Sequence, residues 1–399
     1  MIHEAPIESV GHGAVGVARV DGKVHFIHDA LPGSVVRFEV EDDRDRWARG
    51  RLLEVVEESP FATAPVCRHA DDCGGCQWQR ARPVAQREWK RRVVADAIER
   101  IGRLDASRVE RVRPAGPPFG YRNRMDYSVA DGRPALHRRR SDDLVAVEEC
   151  PILHPLVEAM LDLPGLDELD GVTLRGGIRT GERLVVIDGD LPTGAERWDV
   201  GVCRVRGGRV EPLLGAPFLR EVVAGVPFRI TGSAFFQNST EGADVLAEVV
   251  AAAAGRGEVL VDLYAGGGLF SCTIGRRFDR VVAVESAGPA TEDFLHNAAG
   301  LDHVDLHRLR VEEAGDVVAA HRGATVIADP PRAGLGARGV EAVVGAEPSC
   351  VVLVSCDPGS LGRDAKLLAA AGYDLDRVVP LDLFPQTFHV EVVSRFTPR

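Results

Sequence analysis

Residues 230–399 repeat one pattern that few folds can satisfy: a short apolar run, a turn and a helical stretch. The turn begins with glycine, acid or cysteine. Alternation of this kind predicts an α/β domain with a parallel sheet covered on both faces. In such open sheets ligands bind where the strands end, so the residues directly after each run are the candidate site. The four runs are 259–263, 280–284, 324–328 and 351–355.

The first two runs end in features that suit a nucleotide-like cofactor. Gly266, Gly267 and Gly268 follow the first run, and glycines there let a ligand approach the backbone at a helix N-terminus. Alone, this turn fits dinucleotides, nucleotides or S-adenosylmethionine equally. Glu285 ends the second run about 20 residues further on, where an acid can bind a ribose diol. Without a Walker-type lysine after the turn, ATP chemistry is disfavoured.

The third run delivers Asp329, followed by two prolines and Arg332, and the fourth delivers Cys356 within SCDPGS. An Asp-Pro-Pro at a strand end is typical of methyltransferases that hold a planar amide or a base edge, and does not suit a dehydrogenase. A thiol at the same rim is a potential nucleophile. The alternative for Cys356 is a small buried hydrophobic residue.

Residues 1–58 predict a small all-β module. Short β-type runs at 15–20, 23–27, 34–41 and 48–56 are separated by glycine-containing turns. Four or five short strands in this length predict a barrel of the OB type. Such barrels often bind nucleic acid, although a plain structural appendage is the alternative.

Three cysteines are clustered in residues 67–76, and a fourth precedes a proline much later. Cys67, Cys73 and Cys76 have C-x5-C-x2-C spacing, and Cys150 lies in ECP. Such clustering in a chain without an export signal favours a metal site over disulfides. Zinc is one possibility. The closely spaced Cys-Gly-Gly-Cys with a remote Cys-Pro more closely fits an iron–sulfur cluster.

Residues 77–140 carry a local excess of ten positive charges in a chain whose net charge is −12. Apolar residues at helical spacing predict a helix over 86–101. In residues 118–129, Phe119, Tyr121 and Tyr127 alternate with arginines, a composition that suits single-stranded RNA. The alternative is a solvated helix face and a strand that contains tyrosines. Residues 151–229 predict a mostly antiparallel sheet without evident chemistry.

The chain of 399 residues is long enough for two or three domains. It opens without the apolar run of a signal peptide, and no apolar stretch is long enough to cross a membrane. The sequence therefore predicts a cytoplasmic protein. We expect it to be a monomer.

Taken together and in this order, the motifs resemble those of the RNA uracil-C5 methyltransferase family. The resemblance covers the whole chain, in the family branch with an N-terminal TRAM domain and an iron–sulfur centre. Besides the four cysteines it rests on FFQN (235–238), DLYAGGG (262–268), ADPPRAG (328–334), SCDP (355–358) and FHVE (388–391).

The resemblance implies three domains: a TRAM barrel at 1–58, a central α+β iron–sulfur and RNA-binding domain at 59–229, and a Rossmann-like methyltransferase domain at 230–399. The helix at 86–101 is expected to pack on the last of these. The implied ligands are RNA, with ribosomal RNA favoured over tRNA, S-adenosylmethionine and a four-iron, four-sulfur cluster.

Roles follow from the matching motif positions. Cys356 matches the nucleophile and Glu391 the general base; Gln237, Tyr264, Gly266, Glu285 and Asp329 match cofactor-binding positions; Cys67, Cys73, Cys76 and Cys150 match the cluster ligands. The chain departs from the family pattern at two places. Gly268-Leu269 stands where the family often has a small residue followed by Asn, and Arg310 stands where the family usually has Asn or Asp.

The resemblance implies that the Cys356 thiolate adds to C6 of uracil, which makes C5 nucleophilic toward the methyl group. Glu391 would then remove the C5 proton, and Asp329 would accept the N3–H of uracil. Three alternatives stay open: a tRNA uridine-C5 enzyme, a cytosine-C5 RNA methyltransferase, and an iron–sulfur RNA-binding protein without catalysis. A nucleophile after Ser355 argues against the second, because cytosine enzymes usually carry proline or threonine there.

Overall fold

The computed structural model describes residues 1–399 and has three sheets that carry the fold, plus one hairpin. Residues 1–57 form a curled, six-stranded sheet in the order β1-β5-β6-β4-β3-β2, which we call the half-barrel. Its inner face buries small and β-branched side chains around Phe38. The strands are β1 (Ile2–Pro6), β2 (Ser9–Gly11), β3 (Val15–Val20), β4 (Lys23–His28), β5 (Val35–Asp43) and β6 (Trp47–Glu57).

The four strands predicted here are present, but the sequence prediction missed β1 and β2. Both are short, and β1 lies at the edge of the sheet against β5. Their apolar residues are too few to give a periodic signal.

The middle of the chain holds a helix and a seven-stranded sheet. Helix α1 (Pro83–Asp96) continues as a wider π-helical turn to Gly102. The sheet has the order β10-β9-β8-β11-β12-β13-β14 and is antiparallel except for β12 and β13. Its strands are β8 (Arg124–Ala130), β9 (Arg133–His137), β10 (Leu144–Ala146), β11 (Gly171–Gly176), β12 (Arg183–Ile187), β13 (Gly201–Arg206) and β14 (Arg209–Leu214); β7 (Arg113–Pro114) precedes them and the short α2 (Pro155–Glu158) lies among them.

The alternation in β8 corrects one reading of the sequence. Met125 and Tyr127 point into the core beneath this sheet, and Tyr121 is buried beside them. Two of the three aromatic side chains predicted to stack on RNA bases are therefore part of the core. The same alternation of aromatic and arginine residues serves an ordinary strand with one buried face.

After the hairpin of β15 (Phe218–Val223) and β16 (Val226–Thr231), the chain forms the predicted α/β domain. Its sheet has the order β19-β18-β17-β20-β21-β23-β22-β7, with β17 to β21 parallel and β23 antiparallel. The strands are β17 (Gly257–Leu263), β18 (Phe278–Val284), β19 (Val304–His307), β20 (Thr325–Ala328), β21 (Cys350–Ser355), β22 (Tyr373–Asp382) and β23 (Glu391–Pro398). The helices are α3 (Thr240–Ala254), α4 (Leu269–Ile274), α5 (Gly288–Asn297), α6 (Gly315–Ala319), α7 (Gly336–Val344) and α8 (Pro358–Ala370).

Local chemistry sets the helix starts as the sequence predicts. The Ser239 hydroxyl accepts the Gly242 N–H at 3.0 Å and caps α3, a bond worth about 1 kcal/mol. Asp357 caps α8 in the same way, accepting the Ser360 N–H at 2.7 Å. None of the helices combines the length and the apolar composition needed to cross a membrane.

The α/β domain is not built from residues 230–399 alone. Strand β7 extends its sheet by pairing with the end of β22, and the segment 97–102 packs on α8. Val94, Ile98 and Val109 belong to the same buried cluster as the strands of this domain. The predicted helix at 86–101 thus contacts the catalytic fold directly.

Candidate active site

Cys356 lies directly after β21, where the turn into α8 begins. The strand before it is wholly buried, whereas Cys356 itself is half-buried. Capping of α8 by Asp357 fixes the backbone on the other side of the thiol. The sulfur is therefore held at the strand-end rim that the sequence predicts.

Glu391 is the first residue of β23, the antiparallel neighbour of β21. Ser355 pairs with Val392, so the register continues with Cys356 opposite Glu391. The Glu391 side chain is buried, and its Oε1 atom has no hydrogen-bond partner. Burial, together with the nearby Asp329 carboxylate, holds the pKa of Glu391 well above its ordinary value.

Asp329 follows β20, next to β21, and completes a group of three ionisable side chains with Cys356 and Glu391. Burial, then the charge of Asp262, raises the pKa of Asp329. Burial, then Glu391 and Asp329, raises the pKa of the Cys356 thiol to about 11. Arg332 acts in the opposite direction on the thiol. The site thus combines a protonated thiol, two carboxyl groups that resist ionisation and one guanidinium that favours thiolate.

The glycine-rich turn after β17 forms a second part of the site. Tyr264, Gly266 and Gly268 all have positive φ angles, of 59°, 56° and 92°. Glycine accepts such angles readily, whereas Tyr264 is a strained position of the kind found at functional sites. The Glu285 carboxylate accepts the Gly266 N–H at 2.8 Å and the Ser286 and Ala287 N–H groups at 2.7 Å. These bonds fix the acid against the turn while leaving lone pairs that can accept a diol.

Gln237 lies between β16 and α3 and is buried. Its carbonyl accepts from Asn123 at 3.2 Å, and its side-chain amide makes no hydrogen bond within the protein. The Gln237 amide therefore has unused donors and acceptors and is suited to hold a polar ligand. Arg310, by contrast, is exposed and lies 3.6 Å from Glu312.

Asp262 is a site residue that the sequence reading did not single out. It lies inside β17, fully buried, and its Oδ2 atom accepts the N–H and hydroxyl of Ser271 at 3.0 and 2.6 Å. Its Oδ1 atom has no partner, and burial raises its pKa to about 7. The signal was an acid within an apolar strand. Through Ser271 it ties the first turn of α4 to the sheet.

The loop at 383–390, which leads into Glu391, is held by residues almost 300 positions earlier in the chain. Lys90 is fully buried and donates to Asp382 at 2.6 Å and to the Phe384 carbonyl at 2.9 Å. Gln86 makes two 2.9 Å bonds with Gln386, one to its side chain and one from its backbone N–H. Gln386 has a left-handed φ of 71°.

Two further bonds connect the same loop to the cysteine-containing segment. The Trp78 N–H donates to the Gln386 carbonyl at 2.9 Å, and the Tyr121 hydroxyl donates to the Pro385 carbonyl at 3.0 Å. Trp78 is only two residues beyond Cys76. The loop before the candidate base therefore takes its conformation from the middle of the chain, which no local sequence pattern could predict.

The half-barrel also reaches the site. His12 Nε2 lies 3.2 Å from Asp357 Oδ2, and the His12 ring meets Phe388 edge-on at 5.6 Å between centroids. His389 stacks near Phe388 at 4.2 Å. Burial and neighbouring cations, with Arg332 the largest of these, lower the pKa of His389 to about 4, so this ring is neutral at pH 7.

The four cysteines predicted to bind metal converge from two parts of the chain. Cys73 forms a β-bridge with Arg138, beside β9, and Cys150 is buried below. Burial, then the charge of Cys76, raises the pKa of Cys150 to about 12. Cys76 packs against the buried cluster that contains Cys150, and Arg68, next to Cys67, pairs at 2.9 Å with Glu149, next to Cys150. Backbone N–H groups donate to the sulfur atoms of Cys67 and Cys73 at 3.4 Å.

The arrangement contains no group of three or more His, Cys, Asp or Glu side chains placed to hold a single metal ion. The donor chemistry nevertheless fits a larger sulfur-ligated group, because Cys67, Cys73 and Cys76 lie close enough to Cys150 for their charges to affect its pKa. Several buried polar atoms near them lack partners, namely His69 Nε2, Gln77 Oε1, Tyr127 OH and Arg139 Nε. Such a concentration of unpaired polar atoms is unusual for a finished core.

The fold and the strand-end site define a class I, S-adenosylmethionine-dependent methyltransferase with added β domains. A family model described as tRNA (Uracil-5-)-methyltransferase matches residues 224–395. Proteins named as uncharacterized RNA methyltransferases are 34% identical to the chain in Thermosynechococcus vestitus, over 99% of this chain and 97% of the relative, and in Gloeobacter violaceus, over 98% and 95%.

The chain is also similar to a crystal structure of tRNA (uracil-54, C5)-methyltransferase from Pyrococcus abyssi in complex with S-adenosyl-L-homocysteine. The TM-score is 0.78 at 26% identity, over 99% of this chain and 100% of the other. The chain belongs to the RNA uracil-C5 methyltransferase family.

Proposed function

We propose that the protein methylates C5 of a uridine in ribosomal RNA by covalent catalysis through Cys356 and Glu391. The observation that carries this proposal is that Cys356, Glu391 and Asp329 lie together at the carboxyl ends of β20 and β21, where β23 begins. The target uridine must be unstacked to reach them, which costs a few kcal/mol.

Cys356 is the nucleophile. Its thiolate adds to C6 of uracil, which breaks the conjugation of the ring and turns C5 into an enolate carbon. S-adenosylmethionine, when bound, supplies a methyl group on a sulfonium that this carbon can attack. Arg332 supports the thiolate form, since its positive charge offsets the burial of the sulfur.

Glu391 is the general base that removes the C5 proton, after which the sulfur leaves C6 and the ring regains its conjugation. Base assistance of this type is worth about 10²–10⁴-fold in rate. Burial of Glu391 suits the task because it makes the carboxylate more basic. Asp329 accepts the N3–H of uracil and so discriminates against cytosine, whose N3 carries no hydrogen.

The methyl donor is bound by Gln237, Tyr264, Gly266, Glu285 and Asp329. Support comes from the left-handed turn at Tyr264 and Gly266, from the fixed carboxylate of Glu285 and from the unpaired amide of Gln237. Glu285 would accept the ribose hydroxyls, and Gln237 has both a donor and an acceptor available.

Substitution of the two catalytic residues tests the chemistry. Cys356→Ala should abolish methyl transfer and leave binding of S-adenosylmethionine unchanged. Glu391→Gln should allow addition and methyl transfer but slow release, so that a covalent protein–RNA adduct accumulates on denaturing gels. Ordinary turnover by Cys356→Ala would falsify the addition at C6.

Cys67, Cys73, Cys76 and Cys150 would hold a four-iron, four-sulfur cluster in a structural and RNA-positioning role. The convergence of the four thiols supports this assignment. Protein purified without oxygen should be brown, absorb broadly in the blue and lose this colour in air. Colourless protein containing one zinc per chain would contradict the assignment.

A transfer RNA is the second candidate substrate, favoured by the similarity to the Pyrococcus abyssi tRNA enzyme. Ribosomal RNA is preferred by analogy with family members that combine an added β-barrel and a cysteine cluster. Mass spectrometry of 5-methyluridine in the separated ribosomal and transfer RNA of a deletion strain decides between them. The RNA class that lacks 5-methyluridine is the substrate, and loss of 5-methylcytidine instead would contradict uracil specificity.

A further inference from the structure

An open cavity of about 290 Å³ lies on the half-barrel, and none of its lining residues belongs to the catalytic group of Cys356, Glu391 and Asp329. It is lined by the turn at His12 and Gly13 and by Phe26, His28, Trp47 and Arg49, with Val15 at its side. No acidic side chain lines it, and Phe26, His28 and Trp47 are all partly exposed. The cavity is therefore aromatic, cationic and open to solvent.

Its side chains have the arrangement that recognises a nucleobase. Phe26 and Trp47 meet at 6.2 Å in an edge-on pair, and the Arg49 guanidinium lies 5.4 Å from the centre of the Trp47 ring. Arg49 makes no ion pair within the protein, so its charge is available. Aromatic rings and arginine planes stack on bases of single strands, and arginine also neutralises phosphate.

The cavity is close to the nucleophile. His12, which lines it, contacts Asp357, and Asp357 is the residue after Cys356. A second contact holds the half-barrel in this position, since Asp29, next to His28 of the cavity, pairs with Arg139 and Arg140 at 2.6 and 2.7 Å. The cavity is therefore within reach of a strand that places one base at Cys356.

We propose that this cavity binds a second base of the same RNA strand, a near neighbour of the target uridine, by stacking on Trp47 beside Arg49. The identity of the target base rests on the proposed function, whereas the stacking site does not. Sequence preference around the modified uridine would thus arise partly in the half-barrel.

The test uses the full chain carrying Cys356→Ala and a short fluorescein-labelled oligouridine, with binding followed by anisotropy. Because base stacking contributes strongly per base, Trp47→Ala should weaken binding about ten-fold, whereas Trp47→Phe should keep most of it. Arg51→Ala is the matched control. Arg51 lies two residues further along the same strand than Arg49, outside the cavity, and is paired with Glu39 and Glu41. It should change binding less than two-fold.

A second measurement keeps the proposal open to refutation if Trp47→Ala folds poorly. In protein whose half-barrel is unaltered, photocrosslinking to oligouridine that contains 4-thiouridine should give a linked peptide that includes Phe26 or Trp47. Wild-type affinity in a folded Trp47→Ala protein, equal weakening by Arg51→Ala, or crosslinks confined to other peptides would each overturn the site. Because the Cys356→Ala protein cannot form the adduct, none of these outcomes depends on whether addition at C6 occurs.

Discussion

The groups around Cys356 shift the pKa of its thiol in opposite directions. Burial and two carboxyl groups favour the thiol, whereas Arg332 and a backbone hydrogen bond favour the thiolate. A nucleophile with a pKa near 11 is mostly protonated at neutral pH, so its reactivity depends on every charge within reach. At the scale of single residues, the rate of addition is therefore sensitive to Arg332.

Arg332→Ala should raise the pKa of Cys356, because a positive neighbour of the thiolate is lost. Below this pKa the thiolate fraction falls about ten-fold for each unit of increase. The rise in adduct formation with pH should move to higher pH by about one unit, while Arg332→Lys keeps the wild-type profile. The measurement is the rate of covalent adduct formation by Glu391→Gln protein across pH 6–10. An unchanged profile for Arg332→Ala would show that this guanidinium does not act on the thiol.

Most single residues at the strand ends could be predicted, since each follows an apolar run. Asp262 and Arg332 were missed as contributors for different reasons. Asp262 lies inside a strand, whereas the strand-end rule indicates only the residues that follow each apolar run. The effect of Arg332 depends on a distance between two loops. The tyrosines at 121 and 127 misled because the alternation that exposes arginine also buries tyrosine.

At the scale of elements, the loop at 383–390 is the feature that couples distant parts of the chain. Its backbone bonds run to Trp78, Gln86, Lys90 and Tyr121, and Gln386 is kept in a left-handed conformation. Strand β21 was visible in the sequence as the apolar run 351–355. Its antiparallel register with β23, and the segment that holds the loop between β22 and β23, depend on tertiary contacts.

Gln86→Met keeps the volume of the side chain and removes its bonds to Gln386. The expected result is a lower kcat, by ten-fold or more, with a nearly unchanged KM for RNA, because Glu391 is no longer positioned for proton removal. Covalent adduct should accumulate, as in Glu391→Gln. The control is Val84→Met on the exposed face of α1. Loss of adduct together with loss of activity would instead indicate a general structural defect.

At the scale of the whole molecule, the cysteine group and the candidate base are connected through Trp78 and Gln386. If the four cysteines hold the proposed iron–sulfur cluster, its removal from the intact protein should loosen the loop at 383–390, while the core of β17 and α3 stays protected. Hydrogen exchange before and after chelation measures this difference. Exchange that increases only around residues 67–76 would show that the two regions are independent.

The α/β class of residues 230–399 could be predicted from the alternation of apolar runs, turns and helical stretches. The way in which the parts of the chain interlock could not, because β7, α1 and the turn at His12 each contact elements far away in sequence. Such contacts depend on matching surfaces, and a single sequence carries no record of which surface meets which.

Strand β7 and the helix of residues 83–102 limit how far the chain can be truncated from its N-terminus. A fragment starting near residue 230 would expose the outer edge of β22 and the apolar flank of α8, both of which upstream segments now cover. Unpaired strand edges and uncovered flanks promote aggregation. Residues 230–399 are thus not expected to form a soluble fragment on their own, and a minimal enzyme has to retain the residues from about 83 onward.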